Sequence, residues 1–421
     1  MIHYIGVDGI GSAWVAIELH VLERRGIPFV LHALRPPLND LFSAQWAIDL
    51  NRRTRRLYPP SAMKIGASVL IAPFLFGPRF FSAAANAVFG KRETLRGRAA
   101  AFAHFLVACD WARKLRREPV TIIHAQWAHT GATIGMYGAW LLGVPFSFTG
   151  HAADLFRDRV ALEDKIRRAE FVVAISNFHR EFYKRNGAND EQILNISCGI
   201  DVTQFHSRRE ANRPIRNRIV SVGRLVEKKG FHILVDACRL LKDKGADFEC
   251  IIAGNGPMED ALKAKVASLG LDAFVDITGK PVLQEDLPAF LSQADIFAQP
   301  CVWSKDNDVD GTPRTLMEAM ACGLPSVSTN LVGIPDIIVD GKSGILVEPN
   351  DPVQLADALY RLMKDHALAC RLAADGRRHI EDKFNLETCL EPLVEIFTSK
   401  LRRELISTQS VQRLVQRTST G

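Results

Sequence analysis

From Ile219 onward the chain repeats one pattern: a short apolar run, a glycine or loop, then an amphipathic helical stretch. "IVSVG", a helix over 230–244, "FECIIAG", a helix over 258–269, "FVDITG", a helix over 286–294 and "DIFAQP" follow in turn, and "GILVEP" precedes helices over 352–364 and 368–383. A strand followed by a helix before the next strand cannot pair with it through a tight hairpin, so such strands lie parallel, with helices covering the sheet. The first half reads the same way. "IHYIGV" and "PFVLHAL" flank a helical run from Ala13 to Arg25, and "VTIIHA", "PFSFT" and "FVVAIS" appear later. At 421 residues the chain exceeds one ordinary core, and two α/β domains of Rossmann-like pattern are predicted. Ligands of open parallel sheets bind beyond the carboxyl ends of the strands, so the loops there are the expected binding edge.

The predicted domains are 1–207 and 218–385, joined by the charged stretch "HSRREANRPIRNR" at 206–218, with 386–421 as a helix and tail. Residues 41–118 interrupt the first domain with helical, basic and aromatic sequence, read as an inserted helical subdomain. That segment holds 14 Lys or Arg against 4 Asp or Glu, a local excess of +10 in a chain whose net charge is +6. The basic balance, together with Phe80, Phe81 and Trp46 read as exposed, points to peripheral contact with a membrane. The other reading is a solvated helical face. The run 65–78 has 14 uncharged residues, a helix of about 21 Å against a hydrocarbon core of about 30 Å, too short to span. The run 119–153 divides into strand, loop, helix and strand. The eight cysteines are scattered without a C-x-x-C pair, which fits a reducing compartment and no structural zinc. "MIHYIGV" has no features of a signal peptide, so a cytoplasmic protein is expected.

Three stretches carry candidate chemistry. "DGTPRTLMEAMACGLPSVST", 310–329, reads as a helix from about 313 to 322, opened by Pro313 and stopped by Gly323 and Pro325. Asp310 falls in the loop before it and Glu318 on the helix. Its exposed N–H groups and positive dipole end suit a phosphate. The plainer alternative makes Asp310 a cap and Glu318 a solvated residue. "VGRLVEKKG", 222–230, follows a strand with Arg224 and Lys229 on its loop. Cations there clamp a diphosphate, or are a solvated basic turn. "AGNGP", 253–257, is a glycine turn that alone says little. "DGIGSAW" gives G-x-G but places Trp14 where a dinucleotide fingerprint has its third glycine, which disfavours a nicotinamide enzyme.

In this order and spacing, "VGRLVEKKGFHILVDA", "IIAGNGP", "ADIFAQP", "DGTPRTLMEAMACGLPSVST" and "GIPDIIVDGKSGILVEPNDP" resemble the family-4 retaining glycosyltransferases. "FSFTGHAADLF", "FVVAISNFHREFYKRNG" and "ILNISCGIDVTQF" extend the resemblance into the first domain. "IIHAQWAHTGATIG" and the wording around Asp310 look most like bacterial exopolysaccharide enzymes of the colanic-acid type. The resemblance implies a GT-B fold, two Rossmann-like domains facing across a cleft, with the C-terminal helix crossing back to the first. It implies that Arg224 and Lys229 hold the donor diphosphate and Glu318 the ribose hydroxyls. Asp310 stands where the family usually has a Glu facing the donor sugar, and His151 matches a histidine that reaches the sugar or its phosphate. Gly311, Arg314, Thr315, Leu316, Gly11 and Val282 are carried over as donor-binding positions.

Asp is one methylene shorter than Glu, so its carboxylate falls short by about one bond length unless the backbone moves inward. A site rebuilt around the shorter acid is the expectation. The leaving diphosphate needs its growing charge neutralised, and Arg224, Lys229 and the helix N-terminus suffice without a metal. "DNDVD" at 306–310 has D-x-D spacing only by overlap with Asp310. The implied reaction is front-face transfer from a UDP- or GDP-sugar to a glycan or lipid-linked acceptor, with no metal, cofactor or nucleic acid. The competing reading is a non-catalytic nucleotide-sugar-binding partner in a polysaccharide assembly complex. Nothing in the motifs favours a phosphorylase or epimerase.

Overall fold

A computed structural model describes residues 1–37, 44–205 and 216–418, with side chains described as far as residue 406. The start of the basic segment (41–43) and most of the charged stretch (206–215) lie outside the described residues. The chain divides into two compact units. One comprises residues 1–174, 180–196 and the chain from Leu390 onward; the other comprises 175–179 and 197–389.

The first unit is built on seven parallel strands: β1 (Ile2–Gly6), β2 (Phe29–Ala33), β3 (Arg55–Arg56), β4 (Ile122–Gln126), β5 (Phe146–Thr149), β6 (Phe171–Ala174) and β7 (Ile193–Asn195). They lie in the order β3-β2-β1-β4-β5-β6-β7. Strand β1 is an interior strand, with Ile2 paired to Phe29 on one side and Ile122 on the other. All five of its residues are buried, as a strand covered on both faces requires. The helices of this unit begin with α1 (Ala13–Arg24), α2 (Gln45–Arg53), α3 (Ala62–Phe76), α4 (Pro78–Phe89), α5 (Leu95–Leu115) and α6 (Thr130–Leu142). Thr94 starts α5 by accepting the Gly97 N–H at 2.9 Å.

The basic segment is not a separate helical insertion. It supplies edge strand β3, and Ala72, Phe76, Ala83, Ala87, Phe105 and Trp111 share one core with Ile5, Ile123 and Phe146 of the sheet. Nor are all its aromatics exposed. Phe81 is, but Phe80 is half-buried, and Trp46 stacks on His20 with ring centroids 4.2 Å apart. Among the described residues no helix is long and apolar enough to cross a membrane.

Buried polar groups in this core form chains. Trp111 Nε1 donates to His32 Nδ1 at 3.2 Å, His32 Nε2 lies 3.0 Å from His3 Nδ1, and His3 Nε2 lies 3.2 Å from the Pro119 carbonyl. Trp111 can only donate and the carbonyl can only accept, so both imidazoles are assigned as neutral Nε2–H tautomers. Burial lowers both histidines below their ordinary value, which agrees. A second chain joins α1 to the sheet: Glu18 Oε1 accepts from Tyr4 Oη at 3.0 Å and from Gln126 Nε2 at 2.8 Å.

The helix Leu386–Thr418 ends the described chain and takes up most of the stretch 386–421 expected as a helix and tail. Its part from Leu390 belongs to the first unit. Phe397 is fully buried against Tyr4, His124 and Phe171, with centroids 5.8 to 6.4 Å away. Lys400 pairs with Glu170.

The second unit has six parallel strands: β8 (Arg218–Val222), β9 (Glu249–Ala253), β10 (Val275–Ile277), β11 (Ile296–Gln299), β12 (Ser326–Thr329) and β13 (Ile345–Val347). Their order is β10-β9-β8-β11-β12-β13. The chain order therefore reverses direction beside β8, where the crossovers on either side part and leave room for a ligand. The helices expected around these strands form, although that over 286–294 is shorter, Leu287–Leu291.

Burial pushes the Glu18 carboxyl up from 4.5 to about 7, against the two hydrogen bonds that favour its charged form. A raised carboxyl loses stability as pH climbs from its unfolded value through about 7. Glu18→Gln keeps both acceptor contacts and removes that loss. The variant should gain about 2 kcal/mol at pH 8, discounted for the half-buried position, and close to nothing at pH 4, below the unfolded value. Thermal midpoints at the two pH values check this, and an equal shift at both would contradict it.

Candidate functional site

The loop after β8 is held by its neighbour strand. Gly223 N–H donates to the Ala253 carbonyl at 3.0 Å, Leu225 N–H to the Asn255 carbonyl at 2.8 Å, and Met258 N–H to the Leu225 carbonyl at 3.0 Å. "AGNGP" is thus the brace of the Arg224 loop. Gly254 has φ +153°, and a Cβ there would stand 1.8 Å from the Gly223 carbonyl oxygen, so only glycine permits this approach. Leu225 is fully buried, which leaves Arg224 exposed at the strand end. A single turn over Glu227–Lys229 follows, and Gly230 closes it at φ +68° against the Pro300 carbonyl.

That turn sends two lysines to two acids. Lys228 Nζ lies 2.9 Å from Asp308 Oδ2, and Lys229 Nζ lies 2.5 Å from Asp310 Oδ2. Burial raises the Asp310 carboxyl, but Lys229, Lys228 and Arg224 together outweigh it and hold the group below its ordinary value. Burial likewise lowers Lys229, and Asp310 more than restores it, so its ammonium is held above its usual range. The pair is therefore charged throughout neutral pH. The acids of "DNDVD" separate: Asp306 accepts from Ser304 Oγ, Asp308 meets Lys228 and Asp310 meets Lys229. Among the described residues no group of three His, Cys, Asp or Glu forms a metal cluster.

The helix that follows runs Arg314–Ala321, with Pro313 in the cap position rather than the first turn, and no side chain caps it. Asp310 is engaged by Lys229 instead, so the capping alternative does not hold. Its first turn leaves N–H groups without intrahelical partners. Glu318 is buried, not solvated: Oε1 accepts from Gln284 Nε2 at 2.9 Å and from Arg314 Nη2 at 3.3 Å. Arg314 also donates to the Gly199 carbonyl at 3.1 Å, and Thr315 Oγ1 to Gln299 Oε1 at 2.8 Å. Gly311 is buried, and its carbonyl accepts from Gly333 N–H at 3.0 Å. The Leu316 side chain is wholly inside the core, so this residue offers a ligand its backbone only. Val282 is half-buried two residues before Gln284. Arg224, Lys229 and Asp310 thus form one cluster, and Arg314 and Glu318 a second on the same helix. Gln284, Lys228 and Asp308 were not anticipated.

Gly11 and His151 belong to the first unit, where the structure brings their neighbourhoods together. Gly11 lies in the loop that opens α1, and a Cβ there would sit 2.5 Å from Asp8 Oδ2. Trp14, the residue that breaks the dinucleotide fingerprint, donates from Nε1 to His151 Nε2 at 3.1 Å. Gln126 Oε1 lies 3.0 Å from the same nitrogen and continues to Glu18. Asp154 is fully buried and ties down the backbone, accepting N–H groups from Ala128 at 2.6 Å and Ala152 at 2.8 Å and, with both oxygens, from His151. Lys165 donates to the Ala128 and Val160 carbonyls, and burial lowers it to about 7 although Glu93 and Asp154 oppose this. Asp154 was legible as an acid three residues past His151, in capping position; Gln126 and Lys165 leave no local signal.

Residues 67–204 match the model of Glycosyltransferase Family 4, and residues 203–379 match Glycosyl transferases group 1. The amylovoran biosynthesis glycosyltransferase AmsK of Erwinia amylovora is 36% identical over 255 residues, 58% of this chain and 62% of AmsK. WcaL of Salmonella typhimurium, described provisionally as a colanic acid biosynthesis glycosyltransferase, is 34% identical over 232 residues, 55% of this chain and 57% of WcaL. The matches thus span about 60% of the length of these curated relatives. Among solved structures, Anabaena HepE in complex with UDP superposes with a TM-score of 0.70 at 16% identity, covering 94% of this chain and 99% of HepE, which establishes a shared fold. Both domain models are matched in succession along one chain, so residues 67–379 carry the two domains of family-4-type glycosyltransferases.

Proposed function

We propose that the protein is a retaining glycosyltransferase that moves a sugar from a UDP- or GDP-sugar to a glycan or lipid-linked acceptor in bacterial exopolysaccharide biosynthesis, working in the cytoplasm at the inner face of the plasma membrane. The observation that carries this reading is the cluster of Arg224, Lys229 and Asp310 at the carboxyl edge of the second sheet, just before an uncapped helix N-terminus. A nucleoside diphosphate needs such an arrangement of positive charge. AmsK and WcaL, named for polysaccharide biosynthesis, support the acceptor class, and the HepE complexes with UDP, and with UDP and glucose, support the donor class.

In this reading Arg224 and Lys229 neutralise the diphosphate as the bond from the anomeric carbon to its phosphate oxygen breaks. The acceptor hydroxyl oxygen bonds to that carbon on the same face and gives its proton to the leaving phosphate. Glu318 takes the ribose hydroxyls; Gly311, Arg314, Thr315 and the Leu316 backbone line the donor, with Val282 and Gly11 as further contacts. His151, oriented by the Trp14 indole N–H, meets the sugar or its phosphate. Asp310 carries a second task. It holds Lys229 in place until phosphate oxygens take over the ammonium, so the shorter acid is matched to the lysine.

Three outcomes test this. Calorimetry with UDP and GDP should show equal affinity with and without chelator, because two cations already face the diphosphate; affinity abolished by chelator refutes metal independence. Lys229→Ala should weaken nucleoside diphosphate binding at least tenfold. Asp310→Ala should preserve or tighten it by freeing the lysine, while lowering transfer about a hundredfold, as for other misplaced catalytic groups. If both variants lose nucleotide affinity alike, the division of labour is wrong. Glu318→Gln should weaken nucleotide and donor together by about 1.5 to 3 kcal/mol, the range for a hydrogen bond to a charged group. Affinity measured per folded molecule separates that loss from the stability cost of disturbing Arg314 and Gln284.

A further inference from the structure

Helix α3, "AMKIGASVLIAPFLF", is apolar or small at every position except Lys64 and Ser68. A helix apolar all round is normally buried all round. Here only Ser68, Ala72 and Phe76 are buried against the core. Met63, Leu70, Ile71 and Phe74 point to water, Phe74 with 89% of its surface exposed. Helix α4 repeats this: Ala83 and Ala87 face inward, while Phe81, Val88 and Phe89 face out, Phe89 at 81% exposure. Leu95 and Phe102 of α5 are exposed as well. Isolated exposed apolar residues need no explanation, but two successive helices with bare outer faces mark an interaction surface.

The charge around this surface selects the partner. From Leu50 to Arg92 the chain has eight Lys or Arg and no Asp or Glu. Lys64, Arg79, Lys91, Arg96 and Arg98 are exposed on or beside the bare helices. Arg98 Nη1 donates to the Val88 carbonyl at 2.8 Å, which holds its guanidinium at the end of α4 beside Phe89. We propose that the outward faces of α3 and α4, with Leu95 and Phe102, dock the protein on an anionic lipid bilayer, the aromatic side chains entering the boundary between headgroups and acyl chains and the cations meeting the headgroup charge. A second copy of the chain is the weaker partner, because it would set like charges against each other. At 15 residues, α3 reaches about 22 Å and cannot span a core of about 30 Å, so it lies in the plane of the surface. The docking surface belongs to the first unit and stands independently of the sugar-transfer reading.

The test is flotation of the full chain with vesicles of phosphatidylcholine alone and with 30 mol% phosphatidylglycerol added. Binding is expected on the anionic vesicles at low salt and should fall several-fold at high salt. Phe74→Ser/Phe89→Ser, both highly exposed and so harmless to folding, should lower the bound fraction at least tenfold, and Lys64→Glu/Arg96→Glu should abolish the preference for anionic lipid. UDP and GDP affinity should be unchanged in both variants, which separates this proposal from the donor-binding one. No binding of the parent chain to anionic vesicles, or equal binding by Phe74→Ser/Phe89→Ser, overturns the proposal. So does a dimer in light scattering that this double variant dissolves without any vesicle binding.

Discussion

Parallel strand pairing is the constraint on which both units depend. A parallel strand cannot be joined to its neighbour by a tight turn, so each strand but the last of either sheet feeds a crossover that returns the chain to the same starting edge. All loops that follow strands therefore gather at the other edge. Arg224 follows β8, Gln299 ends β11 and His151 follows β5, each delivered to its edge by the same rule. The sheet cores make those positions rigid. Leu225 and Leu316, both wholly buried, fix the loops on which the exposed or half-buried polar residues stand.

Within the second unit the decisive local feature is the ion pair of Lys229 and Asp310. Each group alone would be penalised by burial; each shifts the other back toward its charged form. The neighbouring Lys228 and Asp308 repeat the arrangement at 2.9 Å. The loop 304–310 is thereby stitched to the turn 227–229 at two points, and the shorter acid at Asp310 is accommodated by a lysine that comes to it.

The strand–helix alternation was legible because periodicity is a local property. The parallel sheets and the helix after Asp310 followed from it, as did the place of Arg224 on the loop after a strand. What escaped depends on contacts distant in the chain. Trp14 read as a broken fingerprint, yet it reaches His151 across 137 positions. "AGNGP" read as an uninformative turn, because the backbone it lies against is Gly223, some thirty residues earlier. The segment containing α3 and α4 read as an insertion because helical, basic and aromatic sequence interrupts the alternation there; that both faces of its helices are apolar hides which residues, such as Ala72 and Ala83, join the core and which, such as Phe74 and Phe81, do not. Glu318 looked like a solvated helix residue in the plain reading, since Gln284 lies on another loop.

Phe397 has a consequence for how this protein comes into being. It fills the space between Tyr4 on the first strand and Phe171 on the sixth, yet it lies near the other end of the chain. A ribosome delivers residues in order, so the second unit has emerged in full before the first receives this ring. Until then the surface around Tyr4 and His124 is open to water. The nascent first unit must wait in an incompletely packed form while its neighbour matures, and chaperones that recognise bare aromatic surface have their longest opportunity there.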